Sequence, residues 1–467
     1  MGDNETAVSE TSVARRLARF VLGLRLEDLP PAVVGQATLL TLDTLGICLA
    51  SSTMDFGRAV IRTVESLGGA PRSSVIGTEV RVAPANAVLA NGTLAHGLDF
   101  DDTREDAIVH TGCVAVTGAL AMGEAVEASG RAALEAIVAS VEVMCRVGRA
   151  VPGRFHARHF HPTSLVGSFG AAAAAGKLLG LTEDQLVRAF GICGSQAGGI
   201  IEYLGDGSWT KRLHPGWAAH AGVVATLLAQ AGFTGPERVF EGEHGFYAAF
   251  AGGHDAARLS EQVDSLGRAW EIGELTYKPY PCGSIAHPYM DCAQRLRERH
   301  AIRPDEIVEI RCQTAAGPVP RLWEPLAAKH RPQNGYAAKF SLPYLIAVIL
   351  VTGRAGLAEF TDEAVQDEAV LRVAARVGYD IDPAIDYPRQ FVGRVRITLS
   401  DGRVVEERQD RPRGGPDLPM TREELVAKFR GNAGLRLPPE KIERVIEAVG
   451  AVATAPRLVP LMQCLSP

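Results

Sequence analysis

The chain has 467 residues, 46% hydrophobic and 22% charged, the balance of an ordinary globular protein and a length that calls for two or more domains. A formal net charge of −6 argues against a general binder of nucleic acid or anionic membranes, which needs a basic footprint. No run of eighteen or more apolar residues marks a membrane span, and residues 1–10 lack the basic start and apolar core of a secretory signal, so a cytoplasmic location is expected.

From residue 11 to about 250 the pattern is helix after helix, with helical texture over 13–24, 31–50, 84–100, 112–128, 132–151, 164–179, 183–194 and 218–231. Pro31 and Pro84 suit first-turn positions, Thr182 suits a cap before Glu183 and Asp184, and Gly130 and Gly180 suit helix stops. The Ala and Gly run 170–176 implies closely packed helices, because a glycine inside a helix is costly unless a neighbour must approach. Beyond about 273 the texture changes. Residues 307–314 alternate as a strand, 338–352 and 363–377 read as helices, and 393–409 reads as two strands joined at Asp401-Gly402, a two-residue hairpin turn. Helices return over 421–452, opened by a capping-box-like start at Thr421. The expected fold is mainly α: a large helical domain from both chain ends, 1–273 and 411–467, with a smaller α+β lid domain, 274–410, inserted between them. Hinges are expected near Gly273 and in the Gly- and Pro-rich stretch 411–419. The eight cysteines stand singly, without a CxxC pair, and are expected to be reduced thiols.

The most informative segment is NGTLAHGLDFDDT at 91–103, an Ala-rich run that ends in acid, hydroxyl and imidazole groups. Read as helix, it puts His96 and Asp99 three apart and Asp99 and Thr103 four apart, so neighbours touch. Taken alone, Asp and Thr at a helix end are common caps. Further polar clusters precede predicted helices: His156, His159 and His161; Lys211, Arg212 and His214; and His110. Lys278 opens the inserted domain. Helix N-termini attract anions, lysines and arginine beside them suit carboxylates, and an imidazole suits moving a proton next to one. Asp101-Asp102 with Glu105 also fits the short magnesium–diphosphate pattern of a terpene synthase, but the second metal motif of such enzymes is missing. A helical scaffold whose polar clusters are only caps is the non-enzymatic alternative.

Six segments decide between these readings: NGTLAHGLDFDDT at 91–103, HPTS at 161–164, WTKRLHPGWAA at 209–219, GFTGP at 232–236, YKPYP at 277–281 and AKFSLPY at 338–344. In order and spacing over nearly the whole chain they resemble the successive signatures of the MmgE/PrpD family, which includes 2-methylcitrate dehydratases, cis-aconitate decarboxylases and an iminodisuccinate epimerase. The resemblance implies a homodimer that needs no metal or organic cofactor, a helical domain with a smaller lid, and a small polycarboxylate substrate. It implies Asp99 and Thr103 as the polar pair of the first motif, and His161 as the histidine of the His-Pro block. Lys211 and Lys278 would be the substrate-binding lysines that flank the cleft. His110 would be the histidine after the acidic motif, one residue further on than in the decarboxylase branch. Decarboxylase-like members carry a histidine five residues after the second lysine, whereas here that position is Gly283. The expected function is a cofactor-independent, dehydratase-like lyase for a di- or tricarboxylate of the 2-methylcitrate or aconitate type, working by proton transfer at the carbon next to a carboxylate. Epimerisation of an iminodisuccinate-like dicarboxylate is the alternative.

Overall fold

The computed structural model describes residues 11–387 and 390–467; the segment 1–10 weighed above as a leader lies outside them. The fold is mainly α with a smaller α+β part, as expected. Helices α1 (Val13–Gly23), α2 (Pro31–Ser51), α3 (Asp55–Leu67), α4 (Pro84–His96), α5 (Gly112–Ala125), α6 (Gly130–Arg149), α7 (Pro162–Leu178), α8 (Glu183–Gln196) and α9 (Thr210–Gln230) come first. Their ends follow local chemistry. Ser12, Ser129 and Thr182 each accept a backbone N–H as N-caps, and Thr182 completes a capping box with Gln185. Pro31 and Pro84 fill first-turn positions that need no donor. Gly180 ends α7 at φ 64°, but Gly130 does not end a helix. It opens α6, and a Cβ there would fall 1.8 Å from the Val452 carbonyl oxygen, so this glycine serves a close approach.

Helix α9 packs along α7 and α4, α6 packs on α7, and α2 lies against a helix from the far end of the chain. Close approach again decides composition, since a Cβ on Gly92 of α4 would lie 2.7 Å from the Cα of Gly216 in α9. Two helix limits differ from expectation, and both bear on function. Helix α4 stops at His96 rather than near residue 100, and Asp99 takes φ 54°; the helical spacing read among His96, Asp99 and Thr103 therefore does not exist. Helix α9 begins at Thr210 and runs through Pro215, eight residues earlier than its apolar pattern suggested. Lys211, Arg212 and His214 thus lie on the helix rather than before it. Pro215 removes the N–H that would have reached the Lys211 carbonyl, a tolerable loss near the helix start.

The α+β part holds α10 (His287–His300), β1 (Ile307–Thr314), α11 (Leu342–Thr352), α12 (Glu368–Ala374), β2 (Val377–Ile381), β3 (Gly393–Leu399) and β4 (Val404–Gln409). The strands form one sheet in the order β2-β1-β3-β4. Strand β2 runs parallel to β1 while the other pairs are antiparallel, with Ile310 opposite both Val377 and Ile397. The β3–β4 hairpin turns at Asp401-Gly402, with Gly402 at φ 87°. The helix expected over 363–377 shortens to α12 and gives way to β2. Helices α13 (Arg422–Ala433) and α14 (Pro439–Gly450) follow, with a capping box between Thr421 and Glu424.

Among the described residues, two large hydrophobic cores result, with a small third cluster of Ile47, Ala50, Phe56, Leu98 and Phe100. One joins Leu17, Leu45 and Phe169 to Phe429 and Met462 near the C-terminus, and the other gathers Trp323, Leu345 and Ile397. Each fully buried side chain of this size contributes about 1.5–3 kcal/mol, so the C-terminal helices are integral to the first core. All eight cysteines are free thiols. Helix α2 is long and apolar enough to cross a membrane by length and composition, yet most of it is buried against other helices. It carries Asp43, whose carboxylate pairs at 2.7 Å with Lys428 of α13, both side chains buried. Lys428→Met would leave that carboxylate without its countercharge. Removing one partner of a buried pair costs about 3–5 kcal/mol, and urea unfolding should show a loss of that size; an unchanged midpoint would mean that the pair does not hold α13 in place.

Candidate active site

The site is built around the loop that follows α4. Its buried carbonyls have no helix to satisfy them and take side-chain donors instead. Lys339 Nζ donates to Leu98 O at 2.6 Å, Lys278 Nζ to Asp99 O at 3.1 Å, and Lys428 Nζ to Phe100 O at 2.7 Å. The loop turns at Asp99 in the left-handed region, where Asp is one of the few tolerated non-glycine residues. Asp99 Oδ1 accepts from Lys278 Nζ at 2.7 Å and from Lys211 Nζ at 3.1 Å. Burial would raise the Asp99 pKa, but the two lysines outweigh it and hold the carboxylate well below its usual range. In return Asp99 keeps the Lys211 ammonium charged in spite of burial. The segment bearing Lys278 is tied to the loop by two backbone bonds, Thr103 N to Thr276 O at 2.9 Å and Thr276 N to Thr103 O at 2.8 Å.

Beside this cationic cluster lie His96, His110, His161 and His214. His96 Nδ1 sits 2.7 Å from Asp101 Oδ2, and His110 Nδ1 sits 3.5 Å from the same oxygen. His110 Nδ1 is also 2.8 Å from the Asp102 carbonyl, so it carries the proton and leaves Nε2 as the basic nitrogen; Thr103 Oγ1 stands 3.3 Å away. His161 Nδ1 and His214 Nδ1 are 3.1 Å apart, so one ring donates and the other accepts. His161 occupies the N-cap position of α7 ahead of Pro162, and its own N–H donates to Gly199 O at 3.0 Å. The rings of His96, His110 and His161 form a triangle, with His96 4.6 Å from His110 and 5.5 Å from His161 and those two 6.1 Å apart between centroids.

Asp102 caps α5, accepting from Thr111 N at 3.0 Å, Thr111 Oγ1 at 2.6 Å and Gly112 N at 2.8 Å. Burial and the neighbouring Asp101 push its carboxyl up to about 6. Burial, assisted by the nearby lysines, lowers His110 to about 3 against the pull of Asp101. Burial also takes His161 well below its ordinary value, and His214 down to about 4. Burial thus favours the neutral form of these imidazoles, and a negative charge brought beside them would restore their basicity. The residues able to hold a metal ion are His96, His110 and His161, with one ring nitrogen of each within 4.8 Å of the others, and the set His96, Asp101 and Cys113. Burial holds the Cys113 thiol far above its usual range, which disfavours the thiolate that a metal would need.

A cavity of about 900 Å³ opens beside the loop, walled by Phe56, Leu98 and Arg212 from the helical part and by Tyr336, Lys339 and Phe360 from the α+β part. The residues singled out in the sequence, His161, His110, Asp99, Thr103, Lys211 and Lys278, surround one point of the fold. His156 and His159 stay out of the cluster; His159 is exposed at φ 65°. Asp99 binds lysines rather than an imidazole, whereas Thr103 does touch His110. The sequence marks His96 by its spacing from Asp99, His214 in the cluster with Lys211 and Arg212, and Asp101 in the magnesium–diphosphate pattern, but gives none of them its contact; Lys339 has no signal beyond the motif at 338–344.

Residues 15–259 match the MmgE/PrpD N-terminal domain and residues 280–452 the MmgE/PrpD C-terminal domain. Relatives include the cis-aconitate decarboxylase-like protein oryM of Aspergillus oryzae, 27% identical over 98% of this chain and 98% of its own. The cis-aconitate decarboxylase of Mus musculus is 28% identical over 94% of this chain and 90% of its own. The 2-methylcitrate dehydratase of Cupriavidus necator is 24% identical over 87% of each.

The depressed imidazoles give a pH signature. A histidine whose folded pKa lies below its unfolded value of about 6.5 binds a proton more readily when unfolded, so it lowers stability as pH falls below that value. Ring ¹⁵N resonances of His110 and His161 should stay in the neutral form from pH 8 to pH 5, and His110→Gln should lessen the loss of stability between pH 6.5 and 4. Either ring titrating near 6.5 would contradict the burial described here.

Proposed function

The chain belongs to the MmgE/PrpD family, and from that premise we propose a dehydratase-like lyase that acts on a small di- or tricarboxylate of the 2-methylcitrate or aconitate type without metal or organic cofactor. The observation that carries this reading is the placement of neutral, buried imidazoles beside the Lys211–Asp99–Lys278 cluster, whose two positive charges exceed its one negative charge. Substrate carboxylates would be drawn to that excess and would raise the pKa of the imidazoles they approach. His161 then removes the proton from the carbon next to a carboxylate. The enolate-like charge that develops is stabilised by the lysines, an effect worth roughly 3–4 kcal/mol per well-placed donor in a dry site. His110, protonated as the anionic substrate enters and steadied by the Asp102 carbonyl and Thr103, hands its proton to the departing hydroxyl, which leaves as water.

The α+β part, about residues 274–410, acts in this reading as a lid that completes the site, because Lys278 and Lys339 both reach across to the loop after α4. Water is thereby excluded while charge develops. A cytoplasmic homodimer belongs to the same proposal; an exposed stripe of Leu213, Trp217 and Leu227 along α9 supports a self-association face. Decarboxylation of a cis-aconitate-like acid is the second reading, favoured by the names of several relatives and opposed by Gly283 at the position where the decarboxylase branch carries histidine.

Enzyme dialysed against EDTA should convert 2-methylcitrate or a related hydroxy acid to an alkene followed by its ultraviolet absorption. His161→Gln should fold normally but lose about 10²–10⁴ in kcat, the usual contribution of a positioned acid or base. Release of carbon dioxide from cis-aconitate instead would favour the second reading, and conversion between stereoisomers without loss of material would make the enzyme an epimerase. Activity lost to EDTA and restored by Mg²⁺ or Zn²⁺ would overturn the cofactor-free account.

A further inference from the structure

Lys211 and Lys278 are already matched to a carboxylate of the protein. Four other cations that line the cavity are not: Arg321, which is exposed; Lys329, which donates to the carbonyls of Arg321 at 2.6 Å and Phe340 at 2.8 Å; and Arg212 and Lys339. Among the described residues, no carboxylate lies within ion-pair distance of Arg212 or Lys339. The Arg212 guanidinium is clasped between aromatic faces, 4.4 Å from the Phe56 ring centroid and 4.8 Å from that of Tyr336, and its Nε is buried without a hydrogen-bond partner. Lys339 is 5% exposed, and its one side-chain acceptor is the Leu98 carbonyl, which leaves two of its three N–H donors to fill. Both residues line the 900 Å³ cavity. The carboxylates on the same wall are engaged elsewhere: Asp55 pairs with Arg58 at 3.0 Å, Asp206 accepts from Ser208 N at 2.8 Å, and Asp362 accepts from Gly335 N at 2.8 Å.

A cation without a carboxylate partner gains from a bound anion, and the aromatic contacts hold the half-buried Arg212 in place without neutralising it. An arginine between aromatic rings keeps its planar fork available for a planar anion. Burial lowers Lys339 to about 7, so its charge is set by whether an anion is present. These are the properties of a receptor awaiting its ligand.

We propose that Arg212 and Lys339 form a second carboxylate subsite on the cavity wall, which binds the substrate carboxylate farthest from the reacting carbon and selects tricarboxylates over dicarboxylates. This rests on the polycarboxylate reading above for its ligand class. Asp99 with its two lysines handles the carboxylate at the reacting carbon, and the cavity supplies the room for the remainder of the molecule.

Propane-1,2,3-tricarboxylate has no hydroxyl to lose, so its binding reports the subsite whatever the enzyme catalyses. Calorimetric titration should show Arg212→Gln and Lys339→Gln each weakening this acid at least tenfold, with glutarate affected less than threefold. Arg212→Met, which keeps an unbranched side chain beside the rings without the charge, should match Arg212→Gln; thermal melts check that each variant is folded. Unchanged tricarboxylate affinity in the Arg212 variants would overturn the subsite, and so would an equal loss for glutarate, since the site would then not count carboxylates. Normal dehydration by Arg212→Gln together with unchanged binding would remove the subsite and leave the proposed function standing. Weakened binding without any dehydration by the wild type would do the reverse.

Discussion

Everything at the cleft depends on how the loop after α4 satisfies its buried backbone. Three successive carbonyls, of Leu98, Asp99 and Phe100, are capped by the ammonium groups of Lys339, Lys278 and Lys428. Those lysines come from the core of the α+β part, from the segment entering it, and from a C-terminal helix. A helix could have satisfied the same carbonyls locally, but the chain would then not have turned at Asp99 and its carboxylate would not meet Lys211 and Lys278. The loop therefore draws distant parts of the chain to one place, and the charge needed to hold it becomes the charge of the site.

That arrangement leaves the Lys211–Asp99–Lys278 cluster one positive charge in excess. Its two lysines share the carboxylate of Asp99, whereas Lys428 has Asp43 and His96 has Asp101, and burial favours the neutral form of His110, His161 and His214. A protein selected for stability alone would place apolar side chains here, because unpaired buried cations oppose folding. In the proposed reaction an anionic substrate would offset that excess, and its proton would meet an imidazole already in position. The histidines are ordered by fixed partners on their Nδ1 atoms, so little reorganisation accompanies the transfer.

Much of this was legible in the sequence, and the failures share a cause. Helices with caps or first-turn prolines, such as those opened by Pro31, Pro84, Thr182 and Thr421, carry their own start signals and were found. The Asp401-Gly402 hairpin was found for the same reason. The end of α4 was misplaced because the apolar pattern runs on through Leu98, and only donors from residues 278, 339 and 428 make the loop stable. The start of α9 was missed because its apolar pattern begins only at Ala218, although Pro215 lies early enough to be tolerated inside the helix and Gly216 is demanded by α4. In the site, His161, His110, Lys211 and Lys278 stood out through motif context. Lys339 could not be weighed, because its contact is the Leu98 carbonyl far away in the chain, and Asp101 fitted only the metal pattern because the loop that turns it to His96 reads as helix. Gly130 was misread for the same reason, its constraint being a carbonyl more than three hundred residues away.

The central claim is that a buried neutral imidazole, His161, takes the proton from the carbon next to a substrate carboxylate. Its most direct test is proton NMR of 2-methylcitrate incubated with the enzyme in D₂O. The account predicts deuterium at that carbon, or its loss in the alkene product, with the wild type, and disappearance of exchange and turnover together in folded His161→Gln. Exchange that persists in the variant at the wild-type rate would contradict it, and the base would have to be sought in His110 or outside the cluster.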